Sequence, residues 1–318
     1  MEWPQPPAAP RWMAWTPQAA VLWALAYGVI RVFWAVRGAP AFGPRHTDLI
    51  FFTGGRAVAL CAAAAAVAIA LRTAPWRRLL LLAAWAVSAA LAVACPLLLL
   101  DVVGLLLPGS GMPFFPLAFA SRAGCFAEAV LLAAAAEAYR RRWRSACLFC
   151  GRTGVRVRPA ALPTWAWWAA YLAVAGCLAR LGAQVAVGFG GLQKAGAPAY
   201  AFEAGFLLAG ILLPLALVHS WGRVFPRWVP VLKGRQVPRW LLLGPAFAIA
   251  AGLTVYFGVT LVFVAVQTFS GTWKQVGGLP LAFFWVAVPG YWVWGLGLGA
   301  AAVAYYQLTR PACRVCSG

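Results

Sequence analysis

The sequence predicts an all-α fold: a polytopic transmembrane helix bundle of about eight spans, arranged as two parallel four-helix repeats. The first observation is composition, because 64% of the residues are apolar, only 10% are charged and the mean hydropathy is +0.82. Soluble globular proteins carry about a quarter charged residues, so this class is excluded. The second is a series of apolar stretches of about 20 residues, the length that crosses a bilayer. The third is a sequence near the middle of the chain that recurs at its end.

The first four predicted spans cover residues 17–36, 50–71, 79–107 and 115–138. Span one is rich in Trp and Tyr, and the segment before it lacks the pattern of a cleaved signal peptide, so we expect this span to stay in the protein. Span three contains Pro96, which could kink it. Span four begins with "PLAF" and runs into the basic sequence "AEAYRRRWRSACLFC".

The last four predicted spans cover residues 164–188, 200–220, 240–267 and 280–305. Spans five, seven and eight resemble spans one, three and four. Span eight again begins with "PLAF" and runs into "AVAYYQLTRPACRVC". At a constant offset of 166, Tyr139, Arg144, Cys147 and Cys150 match identical residues. We therefore predict a duplication into repeats 1–158 and 159–318, each ending in a Cys-x-x-Cys knuckle. An even number of spans would insert both repeats the same way up, related by an axis along the membrane normal. Convergent composition within one long bundle is the alternative.

The net charge of +20 has a distribution that predicts orientation. With both termini in the cytoplasm, 18 of the 26 Lys and Arg fall on the inner side, as the positive-inside rule requires. These basic loops would lie against anionic lipid headgroups. We expect no nucleic-acid partner, because the loops are short and contain no recognisable binding module. The expected location is the plasma membrane of a bacterium, since the sequence favours Ala, Arg, Gly and Pro over Lys.

One inner loop carries a resemblance to known sequences. The segment "WGRVFPRWVPVLKGRQVP", residues 221–238, resembles a segment of uncharacterised multi-pass membrane proteins from high-GC actinobacteria. The likeness extends to the Trp- and Tyr-rich openings of spans one and five. It implies a bacterial plasma membrane and assigns no activity.

Four of the eight cysteines form the two knuckles, Cys147 with Cys150 and Cys313 with Cys316. Two such pairs supply the ligand set of a tetrahedral structural zinc site, and we predict that zinc joins the two halves there. A thiol-redox role, in which each pair forms its own disulfide, is an alternative. Neither pair opens a helix in a thioredoxin-like unit, which speaks against that role. Lipidated cysteines and free thiols without a role are further alternatives.

Seven ionisable residues fall inside predicted spans and are functional candidates, because a charge in hydrocarbon is costly. They are Arg31, Arg56, Asp101, Arg122, Glu128, Arg180 and Glu203. One interpretation pairs them as interhelical ion pairs, for example Arg122 with Asp101 and Arg56 with Glu203. The other makes them line an outward-facing pocket between the halves, whose excess of arginines would favour a small anionic or amphipathic molecule.

Three functions remain open, and no residue is assigned a catalytic role. The leading hypothesis is binding or transport of a small anionic or amphipathic molecule through the Arg-lined pocket. The second is a membrane-embedded enzyme acting on a lipid-linked substrate, with Glu128 or Asp101 as acid or base. The third is an accessory protein whose basic inner surface and knuckles dock a cytoplasmic partner. His46 and Asp48, in an outer loop, are a weaker signal of chemistry.

Overall fold

The computed structural model of the chain describes residues 10–43, 47–73, 77–106, 114–144, 146–151, 161–189, 196–225, 233–275, 277–311 and 313. These residues form nine α-helices and one short 3₁₀ turn, and they include no strand beyond an isolated bridge between Val224 and Gln236. The predicted all-α class is therefore confirmed.

The helices, in chain order, are α1 (Trp12–Arg37), α2 (Gly55–Thr73), α3 (Arg77–Ala94), α4 (Leu98–Leu106), α5 (Pro116–Trp143), α6 (Thr164–Val187), α7 (Ala197–Val218), α8 (Arg239–Phe269) and α9 (Leu281–Thr309). Prolines mark several starts: α5 begins on Pro116, and α6, α8 and α9 begin directly after Pro163, Pro238 and Pro280. Proline suits the first helical position, as at Pro116, because it has no N–H to leave unpaired and its φ angle already matches a helix. The other three are N-cap residues with a non-helical ψ, where the preceding chain cannot continue the helix.

Seven of the helices in the described ranges are long and apolar enough to cross a membrane, and the bent pair α3–α4 brings the number to eight if it counts as one span. The predicted continuous span 79–107 is thus broken, with a bend of 49°. The break contains Pro96, which cannot donate the helical hydrogen bond of its position. Many large apolar side chains on these helices are exposed, as contact with lipid requires, among them Leu22, Val36, Leu79, Trp168, Leu208 and Phe269. The chain is a multi-pass membrane protein.

The chain divides into two compact units. Unit 1 comprises Met1–Leu98, Phe115–Val157 and Pro311–Gly318, and unit 2 comprises Leu99–Phe114 and Arg158–Arg310. The long helices of unit 1 are α1, α2, α3 and α5, and those of unit 2 are α6, α7, α8 and α9. The segment that follows α9 in the sequence belongs to unit 1.

Each unit packs its four long helices in the same set of pairs. In unit 1, α5 packs against α1, α2 and α3, while α2 packs against α1 and α3. In unit 2, α9 packs against α6, α7 and α8, while α7 packs against α6 and α8. The last helix of each unit is therefore central to it. Small residues make this possible in both, such as Ala129 and Ala136 in α5 and Gly290 and Gly297 in α9.

Candidate functional site

The mid-chain knuckle forms where α5 ends. The N–H of Arg144 donates to the Arg140 carbonyl (3.0 Å), and the N–H of Ala146 donates to the Arg141 carbonyl (3.0 Å). The turn then closes with a hydrogen bond from the Gly151 N–H to the Cys147 carbonyl (2.6 Å). Gly151 adopts a φ of 69°, a conformation that favours glycine. Both thiols of the first knuckle are thus held on one tight turn.

Three of the four knuckle cysteines meet in unit 1. The Sγ atoms of Cys147, Cys150 and Cys313 all lie within 4.8 Å of one another, and those of Cys147 and Cys313 are 3.8 Å apart. Four sulfurs bound at 2.3 Å to a tetrahedral zinc ion lie about 3.8 Å from each other, so the spacing fits shared metal ligation. None of the described cysteines is in a disulfide bond. Cys316 lies outside the described residues.

The predicted meeting of the mid-chain and C-terminal thiols is therefore confirmed for these three cysteines. The turn favours the thiolate form of Cys147. The backbone N–H of Cys150, helped by that of Phe149, lowers the pKa of the Cys147 thiol. Arg141 reaches back over the turn, and its Nη1 donates to the carbonyl of Leu148 at 3.1 Å. The three thiols can bind a thiophilic cation, and the nearby Arg141 guanidinium partly offsets the negative charge of the thiolates.

A buried polar network in unit 1 surrounds Arg31. Its Nη2 lies 2.6 Å from Asp48 Oδ2, and it also donates to the hydroxyls of Tyr27 (2.6 Å) and Ser121 (3.1 Å). Ser121 donates to the same carboxylate oxygen of Asp48. Arg122 Nε donates to the backbone carbonyl of Asp48 at 2.8 Å. Asp48 therefore joins two of the predicted arginines, Arg31 and Arg122.

Ser121 and Tyr27 are absent from the predicted site residues, and Asp48 was considered only with His46 as a weaker signal of chemistry. The signal for Asp48 was present, since it is an acidic residue directly before a span in a protein with few acids. His46, considered together with Asp48, lies outside the described residues.

Unit 2 contains a second buried ion pair. Arg180, late in α6, binds both carboxylate oxygens of Glu203, early in α7, with Nη2 3.0 Å from Oε2. Its guanidinium also lies 5.2 Å from the centre of the Tyr291 ring. The expectation that Glu203 pairs with Arg56 was wrong. Consecutive antiparallel helices place the end of α6 and the start of α7 at the same depth, so Arg180 is the natural partner.

The other predicted residues have different surroundings. Arg56 is exposed, and its Nη2 donates to Thr53 at 3.3 Å. Asp101 is buried in α4. Glu128 is fully buried in α5, and neither carboxyl oxygen has a hydrogen-bond partner among the described residues. Glu128 lies two turns after Ser121 on the same face of α5, about 10 Å further along the helix axis. An outward-facing pocket that combines these residues stays a prediction.

The comparisons with known proteins identify no relative. No protein-family model matches the chain, and neither a curated protein nor a solved structure matches it.

Proposed function

We propose that this multi-pass membrane protein holds one structural zinc ion through Cys147, Cys150, Cys313 and Cys316. The convergence of Cys147, Cys150 and Cys313 is the observation that carries the proposal. Two Cys-x-x-Cys pairs give four thiolates, a closed tetrahedral set that leaves no position for a substrate. The ion therefore acts as a staple that fixes the C-terminal segment to the turn after α5.

A duplication of four helices explains why the second pair of ligands stands at the end of the chain. The two units pack equivalent helices in the same pairs. Each unit also buries one arginine late in its first helix, Arg31 in α1 and Arg180 in α6, against a carboxylate that follows in sequence. The two knuckles are then copies of one element. We place both termini on the cytoplasmic side of a bacterial plasma membrane, where the basic loops meet the positive-inside rule.

Metal analysis of the purified chain tests the staple. We expect one zinc per chain, falling at least tenfold when Cys147, Cys150, Cys313 and Cys316 are all changed to Ser, because the thiolates are the ligands. The matched control is Cys61→Ser with Cys177→Ser, which removes the buried thiols of α2 and α6, outside the two knuckles. Zinc retained by the knuckle variant, or lost equally from the control, would contradict the proposal.

We propose, as a second function, that the buried carboxyl of Glu128 binds a small anionic or amphipathic molecule. Its two oxygens, fully buried and without a described partner, favour this residue over the ion-paired ones. An ionised carboxylate in such a place costs several kcal/mol, so the neutral acid is the stable form. A neutral carboxyl can donate a hydrogen bond to a ligand, or a proton to a lipid-linked substrate in the enzyme alternative.

A hydrophobic carbodiimide, which reacts with neutral carboxyl groups, reads out this state in the intact protein. We expect it to modify Glu128 and to spare Glu203, whose carboxylate is bound by Arg180. Glu128→Gln, close in shape, should fold normally and lose both the label and the function. Equal labelling of the two residues, or none at Glu128, would remove the basis of this proposal.

The three functional hypotheses differ in what the variants lose. Transport predicts that Glu128→Gln stops movement of solute into proteoliposomes. An enzyme predicts that the same variant stops conversion of lipid extract in detergent. An accessory protein predicts that Cys313→Ser with Cys316→Ser releases a cytoplasmic partner, while Glu128→Gln has no effect on it.

A further inference from the structure

Unit 2 contains a second polar feature, a pocket at the end where α8 begins and α9 ends. Its volume is about 450 Å³, and its polar lining comes from Arg223, Gln236, Arg239, Tyr305 and Thr309. None of these residues belongs to the zinc knuckle or to the buried ion pairs. A pocket of this size accommodates a small ligand or a lipid headgroup.

The walls of the pocket are held by backbone hydrogen bonds. The N–H of Val237 donates to the Arg223 carbonyl (2.9 Å), and the N–H of Phe225 donates to the Arg235 carbonyl (3.0 Å). These bonds join the segment around Arg223 to the segment just before α8. From α9, the Tyr305 hydroxyl donates to the Gly222 carbonyl at 3.1 Å. The two pocket arginines therefore project from a fixed frame.

Among its described lining residues, the pocket carries two positive charges and no negative one. Arg223 and Arg239 both line it, and no Asp or Glu is among its lining residues. The sequence after Glu203 contains no acidic residue at all. Arg239 Nη1 is fully buried and has no hydrogen-bond partner in the part of the chain that the structure describes. A buried guanidinium donor without an acceptor is unfavourable, so an anionic ligand would stabilise it.

The helix geometry adds to this positive field. Because α8 begins at Arg239, the N–H groups of its first turn have no carbonyl acceptor within the helix, and among them that of Leu241 donates to the Pro238 carbonyl (2.9 Å). The positive end of a helix dipole binds phosphate and other anions for this reason. The helix has 31 residues, and it meets the pocket at the same point as Arg239.

Two exposed tryptophans indicate the depth of the pocket in the membrane. Trp221 precedes Arg223, and Trp240 follows Arg239. Tryptophan is enriched at the level of lipid headgroups. A phosphate at this level belongs to a lipid headgroup or to a soluble compound that reaches it from the water.

We propose that this pocket binds a phosphate group, with Arg223 and Arg239 as its charged contacts. The phosphate comes either from an anionic phospholipid or from a small soluble phosphate compound. The proposal is independent of the zinc site and of Glu128.

Two titrations of the delipidated full-length chain test it. The first follows adducts of dioleoylphosphatidylglycerol by native mass spectrometry, with dioleoylphosphatidylcholine as the zwitterionic reference. The second follows thermal stabilisation by inorganic phosphate against sodium chloride of equal ionic strength. We expect binding in at least one of the two, and Arg223→Gln or Arg239→Gln should weaken it about tenfold, the usual effect of losing a charge-assisted hydrogen bond.

Arg235→Gln is the matched control, because Arg235 is exposed on the same loop and does not line the pocket. It should change affinity by less than about twofold, as expected for a solvent-screened charge. In the unaltered chain, the same ligand should protect Arg223 and Arg239 from phenylglyoxal and leave Arg235 reactive. Selectivity for phosphatidylglycerol identifies the lipid source, and a response to inorganic phosphate identifies the soluble one. Failure of both ligands, or equal effects of the Arg235 and Arg239 variants, overturns the proposal.

Discussion

Glu203→Gln is expected to destabilise the folded protein by about 3–5 kcal/mol, because it leaves the Arg180 cation buried without its counter-charge. Both side chains are only about a tenth exposed, and the guanidinium binds both carboxylate oxygens. Breaking such a pair costs more than the pair itself contributes, since the remaining charge keeps its desolvation penalty. Equilibrium unfolding in mixed detergent micelles, followed by tryptophan fluorescence, measures the loss.

The double variant Arg180→Met with Glu203→Leu separates pairing from packing. It removes both charges and keeps the volume, so its stability should lie closer to the original protein than that of Glu203→Gln. If Glu203→Gln unfolds at the same detergent fraction as the unaltered chain, the buried ion pair does not support unit 2. Arg180 would then be better explained as a solvent-accessible residue of the predicted anion pocket.

Gly176→Leu is expected to cost at least about 3 kcal/mol, because α6 and α9 touch through their backbones at this position. A Cβ added to Gly176 would lie 2.5 Å from the Gly290 carbonyl oxygen and 2.8 Å from the Trp294 nitrogen. Both contacts are to backbone, so no rotamer change relieves them and the helices must separate. The same unfolding assay would show an earlier transition, and a melting temperature would fall with it.

The control for this substitution lies on the same helix. Gly182→Leu adds the same side chain to α6 where nothing lies within 4 Å of the new Cβ. It should be neutral or slightly stabilising, because leucine has the higher helix propensity. A Gly176 variant as stable as the Gly182 variant would contradict the close crossing of α6 and α9.

The spans were predictable because hydrophobicity and length dominate membrane insertion. The prediction 164–188 differs from α6, Thr164–Val187, by one residue, since Pro163 marks its start. Pro96 indicated a kink, but the break into the separate helices α3 and α4 was not predicted, because the apolar run continues through Pro96 without interruption. Whether a proline bends a helix or ends it depends on tertiary packing, which composition does not encode.

The candidate sites were predictable to different degrees. The meeting of Cys147 and Cys313 was predictable from sequence, because the match at an offset of 166 puts them at corresponding positions after α5 and α9. The pairing of Arg31 with Asp48 was not predictable from sequence, because Asp48 lies in a loop and reaches α1 only through tertiary folding. The pocket at Arg239 was likewise not predicted. Its arginines belong to a basic loop, and the positive-inside rule already accounts for the charge of such a loop.

X-ray absorption at the zinc edge of the purified chain tests the proposed zinc staple, because it reports the ligands of the bound metal. We expect about one zinc per chain with four sulfur neighbours at about 2.3 Å. Absence of zinc, or a shell dominated by nitrogen and oxygen, would contradict a staple built from Cys147, Cys150, Cys313 and Cys316.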